Sequence, residues 1–286
     1  MGVLTNDTQM KRWGEIYRAI QGKCDMLLWC EDIDLSGGPA EIQRSGGINV
    51  PVTPGSADYY RLRSGYGTPR LMAAWATVED GGGCLAAYLV NNKEARNIYI
   101  PTPFDLGDVA FLDYTDIGGM PLEEGSDIAA FYDIATAAAS QCTVCAMIYY
   151  DAMPPKDIWP EGAPVVQAVN LSSSITPVAN TMSFPGDDII SGFVAGTDLP
   201  PGASNKYVVS KVSTLGSTNS DSCWALKHPD YADHMFLWPT TRAVAYSQAW
   251  VYGPGWIFSG DNPPLQGCHG QAGGAAVMWF QLGILP

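Results

Sequence analysis

Two histidines and two aspartates stand close together in the second half of the chain and are the residue types of a metal site. They are His228, Asp230, Asp233 and His234. Imidazole nitrogens and carboxylate oxygens both bind divalent transition metals. Because Pro229 disfavours a helix in this segment, helical periodicity does not bring the four side chains to one face. We interpret the segment as a polar loop and keep a metal site as the alternative.

Cys142 and Cys145 have the Cys-x-x-Cys spacing of zinc ribbons and redox sites. A zinc ribbon needs a second such pair, and a redox pair begins a helix. This pair falls on a predicted strand, where alternation sends the two sulfurs to opposite faces, so we assign it to the core. The chain has seven cysteines, an odd number scattered along its length, which predicts buried thiols rather than a disulfide framework.

Three carboxylates, Glu123, Glu124 and Asp127, cluster just before a predicted strand. A glycosidase needs two carboxylates flanking a sugar, and the nine tryptophans and fourteen tyrosines supply rings on which sugars stack. The rings are dispersed, however, and the acids suit solvated turns. No Gly-x-Ser-x-Gly elbow, phosphate-binding loop or His-Glu-x-x-His helix occurs. We predict that the chain is not an enzyme and has no catalytic, cofactor-binding or metal residues.

The elements that position these residues are predicted to be mainly short strands. The 286 residues include 31 glycines and 21 prolines, which interrupt the chain too often for long helices. One amphipathic helix is expected from Thr8 to Gln21, because its apolar residues recur at helical spacing and Gly22 can end it. The segment Glu31 to Tyr66 is rich in Gly and Pro and is predicted to be an extended arm.

Strand candidates follow one another on both sides of the midpoint. In the first half they are Arg70–Val78, Cys84–Val90, Asn97–Ile100, Val109–Tyr114, Ile128–Ile134 and Cys142–Tyr150. In the second half they are Val165–Val169, Asp188–Val194, Lys206–Val212, Met235–Trp238, Val244–Tyr252, Trp256–Phe258 and Ala275–Leu282. The alanine-rich stretch from Ser126 to Gln141 is also compatible with a helix.

Four prolines between Met153 and Pro164 exclude a helix and a central strand near the middle of the chain. Each half then closes with a Gly/Asp turn, small residues and an apolar strand. We predict an all-β chain of two tandem jelly-roll-like β-sandwiches, with an N-terminal amphipathic helix and extended arm. The predicted divisions are 1–66 for helix and arm, 67–152 for the first sandwich, 153–164 for the Pro-rich linker and 165–286 for the second sandwich.

The formal net charge of −14 argues against general nucleic-acid binding, because the phosphate backbone would be repelled. Residues 1–23 differ from the rest and are net basic. Their basic side chains are Lys11, Arg12, Arg18 and Lys23. The start of the chain lacks the pattern of a secretory signal, and no apolar run reaches the ~18 residues of a membrane span. We expect a protein made in the cytoplasm without a signal peptide.

On these features the chain resembles the double jelly-roll major capsid proteins of icosahedral DNA viruses. The resemblance rests on the closing segments Asp127–Tyr150 and Asp261–Phe280, the linker Met153–Pro164 and the helix Met10–Ile20. It implies a structural protein of the virion that forms homotrimers and a higher-order lattice and needs no cofactor.

The resemblance also implies an N-terminal segment on the inner surface of the shell. There the four basic side chains would contact an internal membrane or the genome, without specific nucleic-acid recognition. Packing of the helix on its own domain is the alternative for these residues. Two other functions stay open for the chain: a carbohydrate-binding or carbohydrate-active β-sandwich protein, and a subunit of another ordered surface such as an S-layer or a tail.

Overall fold

The computed structural model describes the chain in fourteen segments. They are residues 6–34, 40–42, 60–78, 84–91, 96–100, 110–134, 139–160, 162–175, 206–215, 221–228, 230, 234–239, 251–270 and 276–286. Within them the chain forms one α-helix, eighteen β-strands and a short 3-10 helix. All of the strand pairs are antiparallel, and the strands make four sheets.

The N-terminal amphipathic helix is confirmed. Helix α1 runs from Asn6 to Ala19, with Trp13 and Tyr17 fully buried and Lys11 exposed. It ends in a Schellman-type turn, in which Gln21 has a left-handed φ of 55° and the Gly22 N–H donates to the Tyr17 carbonyl at 3.0 Å. Gly22 therefore lies in the terminating turn, as predicted, although the preceding glutamine is also left-handed.

The first sandwich contains the first ten strands. Their bounds are β1 Cys24–Asp34, β2 Ala40–Ile42, β3 Tyr60–Arg61, β4 Arg70–Val78, β5 Cys84–Asn91, β6 Arg96–Ile100, β7 Ala110–Asp113, β8 Met120–Pro121, β9 Asp127–Ile134 and β10 Ala139–Tyr149. One sheet has the order β1-β10-β4-β7 and the other β2-β9-β5-β6, while β8 pairs with β4 and β3 with β9. The first strand pairs with the last and the second with the last but one, which is the nested strand order of a jelly roll.

The second sandwich repeats this order. Its strands are β11 Gln167–Ile175, β12 Lys206–Leu215, β13 Asp221–Lys227, β14 Met235–Pro239, β15 Val251–Tyr252, β16 Ile257–Ser259, β17 Leu265–Gly270 and β18 Ala276–Ile284. The sheets have the orders β11-β18-β12-β15 and β14-β13-β17, with β16 beside β12. Strand for strand, these match β1-β10-β4-β7 and β6-β5-β9. The place of a counterpart to β2 falls in residues 176–205, outside the described segments.

The two sandwiches also share a bulge in the same strand. The pairing of β4 with β10 skips Met72, and that of β12 with β18 skips Ser210. Opposite each bulge, the neighbour on the other edge of the bulged strand is interrupted. Beside β4 the interruption lies between β7 and β8, and beside β12 it lies between β15 and β16. The bulge carbonyl accepts a backbone N–H from the interruption, Tyr114 at 2.9 Å in one case and Gly253 at 3.0 Å in the other. We call these interruptions the first break (residues 114–119) and the second break (residues 253–256).

The strands differ from the sequence prediction in the N-terminal region and in β13 and β17, which no predicted strand covers. Strands β2 and β3 fall inside the predicted arm and β1 overlaps its start, so the strands of the first sandwich begin at Cys24 rather than after residue 66. Strand β1 has no hydrophobic alternation, because Met26, Leu27, Leu28 and Trp29 are all buried. The ambiguous stretch from Ser126 to Gln141 contains β9 and the start of β10, so its described residues are strand rather than helix.

The core continues from one sandwich into the other. Strands β1 and β10 contact β14 and β13, which packs the sheet β1-β10-β4-β7 against the three-stranded sheet β14-β13-β17. Fully buried tryptophans occur on both sides and on α1; they are Trp13, Trp29, Trp75, Trp224, Trp238 and Trp256. The described part of the linker, residues 153–160 and 162–164, contains no helix or strand and makes one isolated bridge, from Ile158 to Trp256.

Candidate functional site: the α1 junction

Arg12 connects α1 to the first sandwich. Its Nε donates to Asp113 Oδ2 at 3.0 Å, and its Nη2 donates to Thr115 Oγ1 at 2.7 Å, within the first break. Burial of Asp113 opposes ionisation, but hydrogen bonds from Thr115 and Arg12 outweigh it and lower the pKa of this carboxyl. The carboxylate is therefore charged, and pairs with the arginine, throughout the neutral pH range.

Arg18 makes the equivalent contact with the second break. It lies about 9 Å further along the helix axis. Its Nε donates to the Gly253 carbonyl at 2.8 Å and its Nη2 to the carbonyl of the bulge residue Ser210 at 2.6 Å, while its guanidinium lies 5.4 Å from the ring centre of Tyr252. One helix thus fills corresponding breaks in two sandwiches through two arginines. We call this region the α1 junction.

Trp13 and Gly14 pack between the two arginines. The Trp13 ring meets Trp75 of the first sandwich edge-on at 6.4 Å between centroids, and its indole N–H donates to the Leu237 carbonyl of the second at 2.6 Å. Gly14 approaches β15 so closely that an added Cβ would lie 2.1 Å from the Tyr252 carbonyl oxygen. The absence of a side chain at residue 14 is therefore a condition for this packing.

Tyr17 forms the buried centre of the junction. Trp256 donates its indole N–H to the Tyr17 hydroxyl oxygen at 2.7 Å, and that oxygen lies 2.5 Å from His234 Nε2. Phe236 packs edge-on against the tyrosine ring at 5.1 Å between centroids. Tyr17 and Trp256 are fully buried and His234 is 5% exposed. Tyr17 belongs to α1, Trp256 to the second break, and His234 directly precedes β14, so the three side chains bind the helix to the second sandwich.

Burial keeps His234, and His228 beside it, neutral. Desolvation lowers the pKa of His228 to about 4 and lowers the pKa of His234 well below its ordinary value. The His228 ring packs edge-on against Trp256 at 4.9 Å, and its Nδ1 accepts the Asp230 backbone N–H at 3.0 Å. Neutral imidazoles act here as hydrogen-bond partners within a packed aromatic cluster.

The metal-site alternative for this segment finds no support in the geometry. His234 Nε2 faces Tyr17, and His228 Nδ1 accepts from the backbone, so these nitrogens serve protein hydrogen bonds. Asp230 accepts from the Asn262 side chain at 2.7 Å. Over the residues that the structure describes, no three His, Cys, Asp or Glu side chains are grouped to hold a metal ion. Asp233 lies outside those residues.

A second buried polar cluster lies in the first sandwich. Tyr60 donates its hydroxyl to Asp25 Oδ2 at 2.5 Å, and Arg63 Nε donates to the same oxygen at 2.7 Å. The Asp25 and Arg63 side chains are only 8% and 23% exposed. Burial, followed by the charge of Asp25, raises the pKa of Tyr60 and of the neighbouring Tyr150. Both phenols therefore stay protonated, and the cluster is a neutralised ion pair with two hydroxyls.

The other residues considered for catalysis are engaged in local structure. Glu124 Oε1 accepts the Gly65 backbone N–H at 2.6 Å in a turn, and Asp127 pairs with Arg61 at 2.9 Å. Cys145 is a buried free thiol, and desolvation raises its pKa, as expected of a core residue. The side chain of Cys142 lies outside the described residues.

The four basic residues predicted to meet a membrane or genome take different positions. Arg12 and Arg18 hold the α1 junction, Lys23 Nζ reaches the Asp151 carbonyl at 3.3 Å, and Lys11 is exposed. Contact with a membrane or a genome remains a prediction.

Sequence reasoning did not associate Tyr17 with His234 and Trp256, since 217 and 239 residues separate them along the chain. The signals available were the helical spacing of Trp13 and Tyr17 and the aromatic residue that follows Gly253-Pro-Gly255.

An open cleft of about 490 Å³ lies between α1 and the linker. Glu15 and Asp157 line it together with Arg18 and Lys156, and Trp159 adds an aromatic wall. Acidic and basic groups balance, so the cleft does not select for the charge of a ligand.

In the described residues no helix has the length and apolar character needed to cross a membrane.

No protein family model matches this chain, and no curated protein sequence matches it. The solved structures that show distant similarity to it include the following three. An archaeal virus protein described by its triple jelly roll fold and turret assembly aligns at 12% identity and a TM-score of 0.24 over 79% of this chain, which spans 56% of that protein's length. The major capsid protein P2 of bacteriophage PM2 aligns at 8% identity and a TM-score of 0.25, covering 92% of this chain and 98% of P2.

The third structure is the PBSX exported protein XepA, at 9% identity and a TM-score of 0.24 over 92% of this chain and 87% of XepA. The jelly-roll fold of this chain is shown by its own strand order, which agrees with the architecture expected from the sequence.

Proposed function

We propose that this chain is a self-assembling shell subunit, a viral major capsid protein that forms trimers and is located in the virion. The observation that carries the proposal is the repetition of strand order and bulge position, over the described strands, in two sandwiches that share one core. Three copies of such a doubled unit place six similar sandwiches around one axis. A trimer then has a nearly sixfold outline, which suits packing into a lattice.

A structural role also accounts for how the polar residues are used. The buried tyrosines, histidines and arginines of both clusters hold elements together: Tyr17 joins α1 to β14, and Arg63 neutralises Asp25. Repeated assembly favours rigid, well-packed subunits, because part of the binding free energy of a flexible subunit would be spent on ordering it. The proposal therefore includes the absence of catalysis.

The oligomeric state tests the proposal directly. Sedimentation of purified protein over a range of concentrations should show a species of three times the chain mass, and electron microscopy of concentrated samples should show trimers, sheets or shells. Apolar side chains on the surface, such as Tyr99 at 59% and Val166 at 67% exposure, are the sites where contacts between copies would lie. A chain that stays monomeric at high concentration and forms no ordered array contradicts the proposal.

The proposed inner-surface contact needs a test that spares the α1 junction. Deleting residues 1–23 would remove Arg12, Trp13 and Tyr17 and with them part of the core. Lys11→Glu with Lys23→Glu reverses two basic charges and leaves the junction in place. Binding to phosphatidylserine vesicles or to nucleic acid should weaken in this variant and fall with salt. Equal binding by the variant removes the inner-surface role, while the shell proposal stands.

Carbohydrate binding is a second candidate, favoured by one observation. Trp279 is 38% exposed on β18, directly opposite Ser172, in a polar setting that suits a stacking platform for a sugar ring. A glycan array with the native chain and Trp279→Ala tests it: binding that is lost in the variant supports this candidate. Release of reducing sugar that disappears in Glu124→Gln would instead identify a carbohydrate-active enzyme.

A further inference from the structure

The hydrogen-bond chain from Trp256 through Tyr17 to His234 depends on the protonation of the imidazole. The indole N–H can only donate, so the Tyr17 oxygen accepts from Trp256. The Tyr17 hydroxyl donates to His234 Nε2 when the neutral ring carries its proton on Nδ1, and the chain is then satisfied at both ends. A proton added to this nitrogen would turn it from an acceptor into a donor. The hydroxyl proton of Tyr17 would then lose its acceptor.

Among the described residues, the surroundings of His234 offer little to stabilise a positive charge. His228 lies 6.5 Å away between ring centres, and Lys156 and Arg63 are the nearby cations that disfavour a further charge. The acidic group near the pair is Asp230, which accepts from Asn262 and lies beside His228 rather than His234. The buried thiol Cys24 lies near Tyr17. Residues 229 and 231–233 lie outside the described structure.

We propose that the α1 junction is acid-sensitive: protonation of His234, together with His228, releases α1 from its seat on β14 and β15. The released segment carries Tyr17 and Arg18, so the helix would lose its contacts with the second sandwich while Arg12 can keep those with the first. The device requires only the intramolecular contacts, so it is independent of whether the chain builds a shell.

The direction of the pH effect follows from the neutral, buried state of the histidines. Burial lowers both pKa values in the docked state, so the undocked state binds more protons and docking weakens as pH falls. The effect begins near the ordinary histidine pKa of about 6.5. As the pH falls, the equilibrium constant for docking of α1 decreases by up to about tenfold per pH unit for each histidine. The contribution of His228 levels off near pH 4.

Hydrogen exchange of the intact chain at a series of pH values measures the docking of α1. After correction for the intrinsic exchange rate, amide protection of the peptide covering α1 should fall at least about tenfold between pH 7 and pH 5. Protection of β10 should change much less. In His234→Gln the amide oxygen still accepts from Tyr17 but takes up no proton, so the pH dependence should shrink to the part that His228 contributes.

The chain supplies its own control in its third histidine, His269. His269→Gln should retain the full pH dependence of α1 protection. If His234→Gln does not fold, NMR of histidine ring carbons in the native chain replaces it, and two rings should titrate together with the loss of α1 protection. Unchanged protection of α1 between pH 7 and pH 5, or an equal loss in His234→Gln, overturns the proposal.

Discussion

At the scale of single residues, the chain uses its buried charges and hydroxyls in two closed clusters. In the first sandwich one oxygen of Asp25 accepts from both Tyr60 and Arg63, and the ion pair is largely shielded from water. On the surface of the same sandwich, Arg61 and Asp127 form a bidentate pair whose arginine is 55% exposed. The two pairs have the same chemistry and differ mainly in burial.

This contrast leads to a matched prediction. Arg63→Met should lower the free energy of unfolding by about 3 kcal/mol, because it leaves the Asp25 carboxylate buried without its cation. Arg61→Met should have little effect, since solvent screens the surface pair. Urea unfolding of both variants checks the difference. Similar losses in the two variants would show that burial does not set the strength of these pairs.

At the scale of elements, the close approach of α1 to β15 depends on Gly14. Gly14→Ala should improve the intrinsic helix propensity by up to about 1 kcal/mol. The new methyl group would nevertheless meet the Tyr252 carbonyl, so we expect a net loss of about 1–3 kcal/mol in stability. Lys11→Ala, at an exposed position of the same helix, is the control and should be neutral within error. A stabilised Gly14→Ala variant would mean that the helix is not seated on β15.

The elements were predictable where turn residues bound an apolar run. Strand β4 runs from Arg70 to Val78 as expected, and β6 differs by one residue at one end. Strand β1 is buried on both faces as β4 is, but its apolar run continues into acidic residues, which hid its extent. Strand β17, Leu265–Gly270, has two glycines and two polar residues in six and gives no apolar pattern.

The α1 junction could be predicted only in part. The spacing of Trp13 and Tyr17 indicates that one face of the helix is buried, but it does not name the surface that covers it. Their partners Leu237 and His234 are more than 200 residues away, and such pairings depend on the strand order of both sandwiches. The histidine pair was noticed for its metal-binding chemistry, whereas its role in the structure is to accept a hydrogen bond within an aromatic cluster.

At the scale of the whole molecule, the shared core predicts how the chain unfolds. Because α1 and the contacts of β1 and β10 with β14 and β13 connect the sandwiches, calorimetry should show one cooperative transition. Trp13→Ala removes the ring that touches Trp75 and donates to Leu237, and it should lower stability by about 3–5 kcal/mol. It should also broaden the transition or divide it in two. Two transitions in the native chain would show that the sandwiches unfold independently.

The two breaks are equivalent places in equivalent sandwiches, yet a single helix serves both. Arg12 fills one break and Arg18 fills the other from the same α1, so the internal twofold likeness of the chain ends at this helix. Because both breaks are filled from one N-terminal helix, the two halves cannot exchange roles, which gives the molecule a fixed polarity from one half to the other.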